Sequence, residues 1–286
     1  MPEPVGPAVA RDRLRAQLLE LRTARDMSLE RAAGVLHWPP SALEDVEDGR
    51  RTIHPREVAA LLAAYGVSDR TALTALAHHA RSALWWERNG LSDAFRQYTA
   101  LEAEAVRISV YQPLLVPGLL QTEAYARAAT AAVLGPAADD ADVGARVDIR
   151  LERQDVLAER VAAGAAPQVL VALEEAVLHR PVGGRRVLHA QLDHLIDMAR
   201  QPHVTLVVMP TATSGHAGLG GVFELLEFAD APDLVFLESL SGDHIVRDAR
   251  ATTRYRANAE ALPAVGRTGN AALEMIEEAK LFRTGT

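Results

Sequence analysis

Four carboxylates in five residues, Glu44, Asp45, Glu47 and Asp48, stand directly ahead of Gly49 and the tandem pair Arg50-Arg51. Carboxylates at that density accept hydrogen bonds from amino groups such as cytosine N4, or pair with guanidinium groups. Tandem arginines clamp phosphate or carboxylate oxygens through their planar forks. A second set lies downstream: Tyr111, Gln112, Gln121, Tyr125, Arg150, Arg153, Gln154, Arg180 and His216. These side chains are polar or amphipathic and do not fall on evidently free faces. They either line a ligand pocket or form a buried hydrogen-bond network that holds a proline-bracketed loop against a long helix. At this level both readings stand.

Catalytic and metal chemistry have few residues to work with. Zero cysteines exclude a thiolate nucleophile, a disulfide scaffold, a cysteine zinc site and an iron–sulfur cluster. The 10 histidines are scattered, and HExxH is absent. The nearest metal-like spacing, His189 with Asp193, is also what a solvated helix face gives. Gly215-x-x-Gly218-x-Gly220-Gly221 lacks the Gly-Lys-Ser/Thr of a phosphate loop and reads as a connection between two strands, with room for a pocket beneath it. Glu174 and Glu175 follow a strand end, where a general acid or base can sit; paired acids there read rather as a solvated helix start. No catalytic residue, metal site or cofactor is assigned, and the chain is not expected to be an enzyme.

The elements that must position these residues are bounded by composition. At 286 residues the chain has room for two domains. With 49% hydrophobic, 24% charged and 5% aromatic residues, it is an ordinary globular sequence with a small-residue, helix-leaning interior. Neither a membrane span nor an N-terminal export signal is legible, so a cytoplasmic protein without a membrane partner is expected. The net charge of −8 argues against coating nucleic acid through bulk charge. That charge is uneven: residues 1–70 hold 10 basic and 11 acidic side chains, so −7 of the total belongs to residues 71–286. The single lysine, Lys280, among 30 basic residues goes with the alanine-rich composition of a GC-rich coding background.

Residues 1–10, with three prolines and no period, are expected to be a disordered leader. From Arg11 the pattern is helical, with Leu14, Leu18 and Leu21 on one face. Ser28 reads as the N-cap of a second helix that buries Leu29, Ala32, Ala33 and Leu36. His37-Trp38-Pro39-Pro40 interrupts the period. Pro40 or Ser41 opens a third helix that buries Leu43 and Val46, and Gly49 closes it. Val58, Leu61, Leu62 and Tyr65 mark a fourth helix, Leu73 and Leu76 a fifth. This gives a five-helix bundle over 11–82, then a linker helix over 83–108 carrying Trp85 and Trp86. Residues 109–286 read as an α+β domain with a small mixed sheet: strands over 168–173, 204–209, 223–228 and 234–238, and helices over 143–161, 185–200, 249–262 and 271–282. The fold class is mainly α.

Five short helices with a tight turn between the second and third are the layout of a helix-turn-helix DNA-binding domain. Leu18-x-x-Leu21-Arg22-x-x-Arg25-x-Met27-Ser28, then Ala32, Trp38, Ser41, Leu43, Val46-Glu47-x-Gly49-Arg50-Arg51 and Tyr65-Gly66-Val67, resemble the phage-repressor-like (XRE-type) family of bacterial regulators. The resemblance covers about residues 14–67. It implies base reading from the third helix and names Ser28, Ser41, Ala42, Glu44, Asp45, Arg50 and Arg51 as the DNA-binding set. Where that family usually offers serine, lysine or arginine, this chain has Ala42, Glu44 and Asp45. Glu47 matches the family, as a tie between helix end and neighbouring helices. Arg50 and Arg51 either hold phosphates or pair with Asp48 and Glu47; Arg22, Arg25 and Arg56 rank lower. Ser41 can serve as contact and N-cap together.

Tyr111 to Tyr125, Arg150-x-x-Arg153-Gln154-x-x-Leu157, Leu178-x-Arg180-Pro181-Val182-Gly183-Gly184 and His216-x-Gly218-x-Gly220-Gly221-x-Phe223 resemble the uncharacterised, antitoxin-like effector domain fused behind such modules in many actinobacterial regulators. This second resemblance covers about residues 83–282. Together they imply a transcriptional regulator that binds a double-stranded DNA operator as a homodimer, and whose second domain senses a small molecule or a small neighbouring-gene partner protein. The acidic third helix supports an alternative: a repurposed helix-turn-helix fold that has lost DNA binding and acts as a ligand-binding, partner-binding or biosynthetic protein.

Overall fold

The computed structural model describes residues 6–80, 92–136, 139–239 and 241–281. The chain divides into two compact units, Met1–Glu104 and Ala105–Thr286. Trp85 and Trp86 of the expected linker helix, and Phe282 at the end of the last expected helix, lie outside the described residues.

Helix formation starts earlier than expected. α1 spans Pro7–Thr23, so residues 7–10 of the expected leader are helical, with Ala8, Val9 and Ala10 buried. Proline is tolerated in the first turn because its missing N–H would have no helical partner there. The Glu104 carboxylate closes that end, accepting from the backbone N–H of Ala8 at 2.7 Å and of Val9 at 2.9 Å. α2 (Leu29–Val35), α3 (Pro40–Glu47), α4 (Pro55–Ala64) and α5 (Thr71–His79) complete the five-helix bundle. Leu14, Leu18, Ala33, Leu43, Leu61 and Tyr65 meet in one core. Pro39, not Ser41, holds the N-cap of α3, since Pro40 opens the helix and puts Ser41 inside its first turn. Gly49 follows α3 at φ 81°, a left-handed value that a Cβ would disfavour. His37, in the turn between α2 and α3, has φ 56° without glycine's freedom.

α6 (Asp93–Glu102) belongs to the same unit and packs on α1. Helix does not continue to residue 108, because α6 ends at Glu102 and β1 (Arg107–Gln112) follows. Its β-branched Ile108 and Val110 lie in a run buried from Ile108 to Tyr111, which has no two-residue polar alternation to announce a strand.

β1 is central to the second unit. After α7 (Glu123–Leu134) and α8 (Asp140–Ala162) the chain enters β2 (Gln168–Glu174), parallel to β1. After α9 (Glu175–His179) and α10 (Arg185–Ala199) it enters β3 (Val204–Met209), parallel to β2. β4 (Phe223–Glu227), β5 (Leu234–Leu237) and β6 (His244–Val246) extend the sheet antiparallel beyond β1. α11 (Ala249–Val265) precedes β7 (Arg267–Thr268), which pairs antiparallel with β3, and α12 (Asn270–Leu281) ends the described chain. The order is β6-β5-β4-β1-β2-β3-β7, a mixed sheet as expected. Tyr111, Ala172, Val207, Met209, Phe223 and Leu225 pack with Ala259 and Leu262 of α11 on one face. Alternate residues, Val110, Val171, Leu173 and Val208, are buried on the other.

Candidate functional site

Burial sorts the faces of α3. Ala42 is 6% exposed and turned into the core, because it lies four residues from Val46 and shares its face. It is therefore withdrawn from the base-reading set. Ser41, Glu44, Asp48, Arg50 and Arg51 are exposed, and Asp45 is half-buried.

Three of the four carboxylates carry an internal arginine. Arg22 of α1 meets Glu47 with both ends of its fork, Nε to Oε1 and Nη2 to Oε2, each at 2.7 Å. Its Nη1 donates to the Met27 carbonyl at 2.9 Å, so one guanidinium ties α1, the turn before α2 and the end of α3. The Glu47 hydrogen bond, ahead of opposing desolvation, raises the Arg22 pKa above its ordinary value. Arg22 thus belongs to the fold rather than to a free phosphate-binding set. Arg50 donates Nε to Asp45 Oδ1 at 2.8 Å, and its Nη1 lies 2.7 Å from Asp48 Oδ2. It pairs with Asp45 and Asp48, not with Glu47. Arg51 stacks 4.5 Å over the Trp38 ring. Among the described residues Glu44 makes no ion pair.

Ser28 caps α2, its hydroxyl accepting from the Arg31 N–H at 3.3 Å, and remains exposed. The Glu30 carboxylate sits at the same helix end. Its own backbone N–H, then the Ser28 hydroxyl, hold it below the usual carboxylate range.

The downstream residues do not form one group. Gln154 on α8 donates Nε2 to the carbonyls of Gly118 and Gln121, each at 2.8 Å. Gln121 donates to the Val116 carbonyl at 2.6 Å, and the Tyr125 hydroxyl accepts from the Val116 N–H at 3.3 Å. These three hold the proline-bracketed loop to α8 and α7, as the network reading expects. Gln191 on α10, which sequence reasoning passed over, joins them: its Oε1 accepts from Thr122 N–H at 2.7 Å and its Nε2 donates to the Leu120 carbonyl at 2.6 Å. A buried glutamine in an amphipathic helix is the only signal that could have found it. Arg153 is buried and Arg150 half-buried beside Gly118. Burial, then the neighbouring Arg153 charge, pushes the Arg150 pKa down to about 10. Gln112 ends β1 half-buried, and Arg180 is exposed.

Tyr111 and His216 come together on Glu174. The Tyr111 hydroxyl donates to Glu174 Oε1 at 2.7 Å, and His216 Nε2 lies 3.2 Å from the same oxygen. The Tyr111 and His216 rings meet edge to face at 5.9 Å. Burial, then the Glu174 hydrogen bond, raises the Tyr111 pKa well above the ordinary phenol range. The cluster stands at the carboxyl ends of parallel strands β1 and β2, with the segment after β3 folded over it. Ligands favour that end in open α/β sheets. Gly218 presses on the Tyr111 ring so closely that a Cβ would come within 2.4 Å. The His216 side chain is 3% exposed, and its Nδ1 has no hydrogen-bond partner. Among the described residues no group of three or more metal-ligating side chains could hold a metal ion, and no helix is long and apolar enough to cross a membrane.

Residues 13–76 match a family described as a helix-turn-helix domain. Residues 95–278 match a domain of unknown function, DUF5753. The second match begins inside α6, which packs with the first unit. No curated protein and no solved structure matches the chain.

Proposed function

The chain belongs to the family of the domain of unknown function DUF5753 and carries a helix-turn-helix domain ahead of it, and we propose that it is a DNA-binding transcriptional regulator whose second unit senses a small ligand. A helix-turn-helix domain gives a regulatory, DNA-binding role in general terms. The observation that carries the reading for this chain is the pairing of Glu47 with Arg22 and of Asp45 and Asp48 with Arg50. An α3 that looks four times negative in sequence presents one unpaired carboxylate, Glu44. Such a helix can approach a duplex, and Glu44 can accept from cytosine N4.

Effector binding is assigned to the Tyr111–Glu174–His216 cluster. The His216 Nδ1 that has no hydrogen-bond partner is the atom a polar ligand group would satisfy. Glu174 then both orients the imidazole and remains within reach of the ligand. The regulator is taken to act as a homodimer, since one module reads one half-site. A small protein partner on the second unit is the other form this sensing could take.

Binding of the full chain to duplex DNA from its own upstream region, titrated over salt, tests the reading. Specific binding that weakens as salt rises is expected. Absence of binding at low salt sinks it. Glu44 favours one rival, a repurposed fold without DNA function. If the doubly substituted Glu44→Ser, Asp45→Arg protein binds DNA and the natural chain does not, the rival stands.

A further inference from the structure

We propose that a cavity within the first unit binds a small molecule carrying two or more phosphate groups, and that this occupant competes with α3 for Arg50. The cavity has a volume of about 350 Å³, within the size range of small-molecule sites. Arg11, Arg15, Arg50, Arg51 and Arg96 line it, against the carboxylates of Asp12 and Asp93. The lining carries five arginines against two aspartates, and guanidinium forks match phosphate oxygens two at a time. Ala8, Ala100 and Leu101 supply an apolar wall for the rest of such a ligand.

Three of the five arginines already hold a carboxylate, which a bound anion shares or displaces. Arg15 is held by Asp12 at 2.7 Å and donates to the Glu47 carbonyl at 3.2 Å, and Arg96 is paired with Asp93. Arg51 makes no ion pair among the described residues. The N-terminus of α1 already holds the Glu104 carboxylate, so the arginines rather than a helix end would hold the anion. Arg15 and the 49–52 segment fall in the helix-turn-helix match, while Arg96 falls in the DUF5753 match, so neither matched stretch alone supplies the full set.

The consequence for regulation follows from Arg50, which lines the cavity and pairs with Asp45 and Asp48. A bound polyphosphate draws Arg50 toward itself and uncovers both carboxylates on the helix that must face DNA phosphates. Occupancy therefore weakens DNA binding, and by thermodynamic reciprocity DNA weakens occupancy by the same factor. This coupling rests on the DNA-binding reading above, whereas the anion site does not.

Calorimetric titration of the full chain with inorganic pyrophosphate, at constant ionic strength and against a sulfate control, tests the site. One site is expected, and Arg96→Gln and Arg15→Gln should each weaken it by about tenfold, the usual effect of losing a charge-assisted hydrogen bond. No binding, or equal binding by both variants and the natural chain, overturns the site. Pyrophosphate should also weaken duplex binding by about tenfold in the natural chain and by less in Arg96→Gln. Pyrophosphate binding with unchanged duplex affinity overturns the coupling. If the duplex does not bind even without pyrophosphate, the DNA-binding reading falls and the titration alone still decides the site.

Discussion

Glu47 is 6% exposed on a helix whose opposite face would meet phosphates, and it survives there because Arg22 satisfies both its oxygens. Removing one member of a buried pair strands the other charge and costs about 3–5 kcal/mol, whereas an apolar pair of similar volume is often neutral. Because Arg22 is only partly buried and keeps the Met27 carbonyl, Glu47→Ala should lower unfolding stability in urea by about 1–3 kcal/mol, and the double variant Arg22→Met, Glu47→Leu should lose less than about 1 kcal/mol. A loss below about 1 kcal/mol for the single variant would show that the pair does not tie the helices. At this scale sequence reading went as far as residue types. The carboxylates and arginines were visible, but which arginine neutralises which acid depends on α1 crossing α3, and no local spacing encodes that. Tyr111 and His216 were visible as candidates. Glu174 read as the start of a solvated helix because its partners lie 63 residues before it and 42 after it in the chain.

Helices with strong periods were legible, as were β2 to β5, because Leu18, Leu43 and Leu61 mark faces and Val-rich runs mark buried strands. The elements lost were those whose signal is not periodic. β1 follows α6 with no glycine or proline between them, and β6 and β7 have three and two residues. Residues 7–10 read as part of an unperiodic leader although Pro7 opens α1. The turn from α2 to α3 carries a testable strain. His37 at φ 56° holds a left-handed conformation that costs an L-residue with a Cβ roughly 1–2 kcal/mol, partly offset by the extra unfolded-state freedom of glycine. His37→Gly should stabilise the protein by about 0.5–1 kcal/mol, seen as a melting point raised by roughly 4 °C for a unit of this size. A lowered melting point would mean that the imidazole contributes more than its backbone conformation costs.

For the whole molecule, the −8 net charge misleads because −7 of it lies beyond residue 70. What remains for DNA is a nearly neutral helical domain in which Arg22 and Arg50 are engaged internally. Arg25, Arg31, Arg51 and Arg56 are exposed beside or on α2 to α4 and make no ion pair among the described residues. If each contacts one phosphate, a homodimer makes about eight such contacts, and the logarithm of affinity should fall with the logarithm of salt at a slope of about −7. Repulsion from Glu44 lowers affinity at every salt concentration and makes the measured slope shallower. The slope therefore reports on the internal pairs. A value near −7 or shallower means that Arg22 and Arg50 keep their carboxylates in the complex, whereas a slope steeper than about −10 requires those arginines to leave α3 for the DNA backbone. In the second case Asp45 and Asp48 would face the duplex uncompensated and Glu47 would be left buried without its arginine, and the account of how an acidic reading helix tolerates DNA would have to be abandoned.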